Sequence, residues 1–217
     1  MVQNEVMVFE RFLSSFHMVP SSQEPRAVWA EPRLLSVRGY RELAGRFAGC
    51  SFENGLYRLH DADSAPRIAA VVDEAFPAFA GRACAFGYDW LGRQFAIDRD
   101  RLLDDQPLVL LMEPGTGEAL EVPLTFEAFH DELVDIQEAT LARTFFTRWA
   151  NLNPASLPVG QDQCAGYRVP LFLGGSDTVE NLELIDLEVY WSLCGQLRRG
   201  TLNLPAGTSI RDVSVRD

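Results

Sequence analysis

The sequence predicts an α+β fold: a central antiparallel meander sheet flanked by N-terminal and C-terminal helices. Three observations predict it. Apolar residues recur at helical spacing up to about residue 75, the pattern changes to short strand-like runs between residues 82 and 123, and helical spacing then returns. Strands neighbouring one another, with helices grouped before and after them, favour α+β over an alternating βαβ arrangement.

In chain order, Asn4 followed by Met7, Val8, Phe9, Phe12, Leu13 and Phe16 predicts a first amphipathic helix, ended by Pro20. Residues 21–35 contain Pro25 and Pro32 and read as an extended connection that packs Trp29 and Leu34 on the body. A helix is expected over residues 37–47, a strand over 55–60, and a helix over 66–75 with Asp63 or Ser64 as its cap. The runs ACAFGYDW, GRQFAIDR, PLVLLMEP and EALEVPL then form the meander, with Pro114-Gly115-Thr116-Gly117 as its clearest hairpin turn. Asp104-Asp105 falls in an acidic link and reads as solvated. Thr125 caps a helix over 126–134, a second runs over 138–149, and residues 151–163 form a polar, proline-punctuated loop. Residues 166–200, GYRVPLFLGGSDTVENLELIDLEVYWSLCGQLRRG, are the most informative stretch: a strand, a glycine turn, an acidic loop and an amphipathic helix. Asp186 is the expected N-cap, Leu187, Tyr190, Trp191, Cys194 and Leu197 share one face, and Arg198-Arg199-Gly200 closes the helix. The tail beyond it lacks periodicity and is expected to fray.

Charge is segregated. Residues 1–103 hold 13 acids and 12 arginines, residues 104–188 hold 16 acids and 3 arginines, and residues 189–217 hold 2 acids and 4 arginines, within a net charge of −12. The middle section therefore carries −13. Such a field repels nucleic acid and anionic membrane and steers basic partners, while the plain alternative is a solubilising face. No run is long enough to span a bilayer and no basic leader precedes an apolar core, so a cytoplasmic location is expected. Cys50, Cys84, Cys164 and Cys194 follow no C-x-x-C spacing and read as small hydrophobes rather than a zinc or disulfide framework.

Catalytic and cofactor patterns are missing. His130 has Asp131 and Glu132 beside it but no second histidine four residues away. Gly174-Gly175 follows an apolar run, yet there is no G-x-G-x-x-G and no lysine, and Asp177 and Glu180 would repel phosphate. No enzyme activity, metal or cofactor is expected. Phe86, Tyr88 and Trp90 alternate, which predicts one shared strand face and, if no helix covers it, an interaction surface.

At AFGYDWLGRQFAIDR, VLLMEPGTGEALEVPLTFEAFHDE and GYRVPLFLGGSDTVENLELIDLEVYWSLCGQL, the chain resembles the GAD-like family of bacterial proteins, which includes immunity proteins of type VI secretion toxins. The likeness covers residues 52–208. The spacing F-G-x-D-x-x-G-x-x-F-x-I-D from Phe86 to Asp98 more loosely resembles the immunity superfamily related to fungal cell-wall regulators. This implies an N-terminal GAD-like α+β region over 1–123 and a C-terminal immunity-type region over 124–217, packed as one unit. It further implies a non-enzymatic antitoxin that binds and neutralises a co-encoded toxin, a DNA-cutting nuclease in the best-known members. The acidic section offers the means, since a nuclease groove must attract phosphates. Asp177, Glu180, Glu183 and Asp186 are the first expected partner contacts, with Asp89 and Trp90 second. The alternative is a protein-interaction or regulatory module of the same fold with no toxin involved.

Overall fold

The computed structural model describes residues 9–19 and 26–201. The start of the expected first helix, the beginning of the proline-rich connection and the tail after Thr201 lie outside the described residues.

Three helices come first: α1 (Glu10–Ser15), the single turn α2 (Pro32–Leu35) and α3 (Tyr40–Phe47). An extended connection was expected where α2 lies. The Glu31 side chain accepts from the Arg33 amide and Pro32 occupies the first turn, which together set up a local helix start. Strands β1 (Ser51–Phe52) and β2 (Tyr57–Leu59) and helix α4 (Ser64–Ala75) follow. Next come β3 (Ala83–Asp89), β4 (Gln94–Leu103), β5 (Gln106–Glu113) and β6 (Glu118–Thr125), in the positions the apolar runs predict. The six strands of this sheet pair antiparallel in sequence order: β3 to β6 are the expected meander, and β1 and β2 extend it at the β3 edge. The acidic link at Asp104-Asp105 is a tight hairpin turn, both residues having positive φ (49° and 59°), a conformation aspartate tolerates better than most residues.

Helix α5 (Phe126–Leu141) starts at the expected cap, where the Thr125 hydroxyl accepts from the Ala128 amide. It does not break near residue 135. The break falls at Ala142, at φ 49°, and α6 (Arg143–Leu152) begins there because the Glu138 carboxylate accepts from the amide and hydroxyl of Thr144. A second, two-stranded sheet pairs β7 (Gln163–Tyr167) with β8 (Leu182–Asp186), and α7 (Leu187–Thr201) follows directly. Asp186 caps α7 as expected, accepting from the Val189 amide at 2.9 Å.

Both faces of the large sheet are covered. One buries Phe86, Phe95, Val109 and Leu111 with Phe126, Phe129, Trp149 and the N-terminal phenylalanines. The other buries Tyr88, Ala96, Leu110 and Met112 with Ile68 and Val72 of α4 and Tyr190, Trp191 and Cys194 of α7. Each core thus draws residues from both sides of position 123. On the second face α4 and α7 approach closely at Gly195, where a β-carbon would lie 2.9 Å from that of Ala75. Leu197 is half-buried rather than core.

The alternation predicted for Phe86, Tyr88 and Trp90 fails for a local reason. The β3–β4 register shifts between Ala85 and Gly87, a bulge that adds a residue and reverses the alternation beyond it. Tyr88 therefore joins the opposite core from Phe86, while Trp90, one residue past the end of β3, packs in the same core as Phe86 from the turn, so none of them forms an exposed aromatic face.

Candidate interaction surface

The β7–β8 hairpin presents the acidic loop, and it is held to the body by hydrogen bonds between residues far apart in sequence. The Ala165 amide donates to the Trp90 carbonyl at 2.7 Å, and the Tyr88 hydroxyl donates to the Gln161 carbonyl at 2.6 Å. Arg58, 0% exposed, donates to the carbonyls of Gly160, Gln163 and Asp89. Residues 168–181 link the two strands and lean on the β5–β6 turn, where the Gly115 carbonyl accepts from the amides of Leu171 and Phe172. The Asn181 side chain bridges the loop by accepting from the Val169 amide and donating to the carbonyls of Val169 and Ser176. A β-carbon at Gly175 would overlap the Val169 carbonyl, so only glycine fits there.

The four acids expected to make first contact, Asp177, Glu180, Glu183 and Asp186, are all exposed and lie on this one hairpin and its loop. Each is locally oriented. Asp177 accepts from the Tyr167 hydroxyl at 2.6 Å, Glu183 lies 3.5 Å from Arg168, and Asp186 caps α7. Hydrogen bonds from its own backbone amide and the Thr178 side chain hold Glu180 below the ordinary carboxylate range. Tyr167, mainly through burial and then through its bond to Asp177, is pushed well above the usual phenol value and stays a neutral donor.

Asp89 and Trp90 are placed elsewhere. Both are 0% exposed, so the surface role expected of them does not fit this structure. Asp89 ties the β3–β4 turn together by accepting from the Leu91 and Arg93 amides, each at 3.0 Å, and from the Arg93 guanidinium at 2.7 Å. The Trp90 indole donates to the Leu141 carbonyl at 2.9 Å and packs against Phe145, Phe146 and Trp149. Arg93 also meets Glu113 at 2.9 Å. Burial opposes its charge, but Asp89 and Glu113 outweigh that and raise its pKa above the ordinary value. Asp89 and Arg93 meet within the β3–β4 turn, and Glu113 reaches them only through the sheet register, which sequence reasoning does not show.

Two of the histidines, His60 and His130, are enclosed in the fold. His130 is 0% exposed, between the Tyr57 hydroxyl at 2.8 Å and the Phe126 carbonyl at 2.8 Å, and burial lowers its pKa to about 4. His60 is likewise enclosed, bonded to Gln94 at 2.8 Å and stacked on Tyr88, and burial lowers it to about 4 despite the Gln94 bond. Among the described residues no group of three or more His, Cys, Asp or Glu is placed to hold a metal ion, and no helix is long and apolar enough to cross a membrane.

One comparison with known proteins falls on the same segment. The crystal structure of Atu4351 from Agrobacterium tumefaciens has the same fold, with a TM-score of 0.58 at 16% identity over 87% of this chain and 88% of that one. No curated protein matches the sequence. Residues 149–198 match the family described as "T6SS immunity protein Tdi1, C-terminal". That match runs from the end of α6 through β7, the acidic loop and β8 into α7. Over these residues the chain is similar to the C-terminal part of a type VI secretion immunity protein, in line with the resemblance drawn from its sequence.

Proposed function

We propose that the protein is a cytoplasmic antitoxin that binds a co-encoded type VI secretion toxin, a DNA-cutting nuclease, and blocks it through the acidic surface of the β7–β8 hairpin. One observation carries this reading: the immunity-family match at residues 149–198 coincides with the hairpin that exposes Asp177, Glu180, Glu183 and Asp186. The first 123 residues act chiefly as scaffold, and recognition lies in the C-terminal region. A nuclease groove built to hold phosphates is basic, and a surface from a section carrying −13 competes for it and accelerates encounter. Neutralisation on this account is binding without chemistry. Co-expression with the toxin encoded beside it tests the reading. Growth is restored by the wild-type chain and not by a variant in which the four hairpin acids are replaced by their amides. Failure of the wild type to bind that toxin or to restore growth would remove the reading and leave the regulatory-module alternative.

A further inference from the structure

We propose that a cavity beside the acidic loop is the socket for a basic side chain of the protein partner, one guanidinium of the toxin entering between Asp177 and Glu113. This deepens the toxin-binding reading and rests on it. The cavity, about 180 Å³, lies between the β5–β6 turn, the start of α6 and the loop after β7, lined in part by Arg93, Glu113, Phe145, Tyr167, Asp177 and Tyr190.

Its charge balance selects the sign of the guest. Arg93 at its base is already engaged, by the Asp89 carboxylate at 2.6 Å, the Glu113 carboxylate at 2.9 Å and the Thr140 carbonyl at 2.8 Å. Of the charged residues that line the cavity, Glu113 and Asp177 are acids and Arg93 is a base, leaving the lining at −1, and the buried Asp89 behind it further offsets Arg93. An anion would have to displace a buried ion pair to be bound, whereas a cation completes the balance. Asp177 uses one oxygen on the Tyr167 hydroxyl, and its other oxygen has no partner among the described residues. Glu113 is held by Arg93 on one oxygen and only weakly, at 3.3 Å, by Thr116 on the other.

The walls favour a planar, delocalised cation on an apolar stem. Phe145, Tyr167 and Tyr190 supply aromatic surface, against which a guanidinium stacks while its fork reaches carboxylates. Space for the guest depends on Gly115, where a β-carbon would lie 2.7 Å from the Tyr167 ring and 3.0 Å from the Tyr190 hydroxyl. Asp177 belongs to both features, so the socket is continuous with the exposed acidic hairpin and fits an anchor residue surrounded by weaker charged contacts.

The test uses the full chain and two readouts. N-acetyl-arginine methylamide is titrated by NMR, with the uncharged citrulline analogue as its control, and toxin affinity is measured for Asp177→Asn and Tyr167→Phe. Glu132→Gln on α5 changes net charge equally away from the cavity. The arginine probe is expected to give saturable shifts at Thr116, Tyr167 and Tyr190 that the citrulline analogue does not give. Asp177→Asn is expected to weaken toxin binding by about tenfold, and Glu132→Gln by less than about twofold, with unchanged melting temperatures. Equal shifts from both probes, shifts elsewhere, or an Asp177→Asn affinity matching that of Glu132→Gln would overturn the socket. A probe that seats as expected on a chain that binds no toxin would confirm a guanidinium site and sink the antitoxin reading instead.

Discussion

The Arg58 guanidinium donates to the Gln163 carbonyl at 2.6 Å, joining β2 to the first residue of β7 across 105 positions of chain. It also donates to the carbonyls of Gly160 and Asp89 and lies 4.3 Å over the Tyr88 ring. The segment that matches the immunity family is therefore docked on the meander through a buried cation surrounded by carbonyl groups. Any change there acts on the placement of the acidic hairpin as well as on stability.

Arg58→Met keeps the apolar stem but strips three buried carbonyls of their donor. The expected cost is about 2–4 kcal/mol, read as a fall in the urea midpoint without a change in slope. A loss below about 0.5 kcal/mol would mean that water or neighbouring amides satisfy those carbonyls instead.

Stability should fall with acid earlier than surface carboxylates alone would cause. Burial lowers His60 and His130 to about 4 in the fold, while an unfolded histidine titrates near 6.5. The neutral rings thus contribute fully above about pH 6.5, and that contribution is lost as pH falls towards 4, because the unfolded chain takes up protons first. Each ring accounts for up to about 3 kcal/mol at the acid end. Urea midpoints measured between pH 7.5 and 5 should decline, and His130→Asn, though less stable at neutral pH, should decline less steeply. Parallel slopes for the two proteins would show that His130 does not titrate in this window.

Trp90 separates folding from recognition. Trp90→Ala removes a fully buried indole and its bond to Leu141 and should cost about 3–5 kcal/mol. Under conditions where the variant is still folded, toxin affinity should stay within about twofold of wild type, measured by calorimetry. A folded variant that has lost binding would restore Trp90 to the interface.

Much of the fold is legible in the chain, for reasons particular to each element. Helix α7 announces itself through Asp186 and the repeat of Leu187, Tyr190, Trp191 and Cys194, and the strands of the meander through apolar runs cut by Gly92 and by Pro114 to Gly117. The β7–β8 pairing is less visible. Gln163–Tyr167 has cysteine, alanine and glycine at its centre and no polar–apolar alternation, and its partner lies beyond a loop running from residue 168 to 181. The exposed acids are legible from charge alone, because few arginines accompany them. The burial of Asp89 is not: its carboxylate pairs with Arg93 in the same turn, and Glu113 joins only through the register of β4 and β5. Acid–base pairing within a turn can mark a closed ionic group as readily as a contact surface.

The most direct measurement is the affinity and association rate between this protein and the toxin proposed as its partner across a range of salt, for wild type and for the combined variant Asp177→Asn, Glu180→Gln, Glu183→Gln and Asp186→Asn. These amides keep shape, and the asparagine that replaces Asp186 can still cap α7. The account predicts a wild-type association rate that falls steeply with salt, a variant slowed by at least about tenfold at low salt, and near-convergence of the two rates at high salt. Equal rates and affinities at every salt concentration would contradict the claim that the acidic hairpin recognises the toxin.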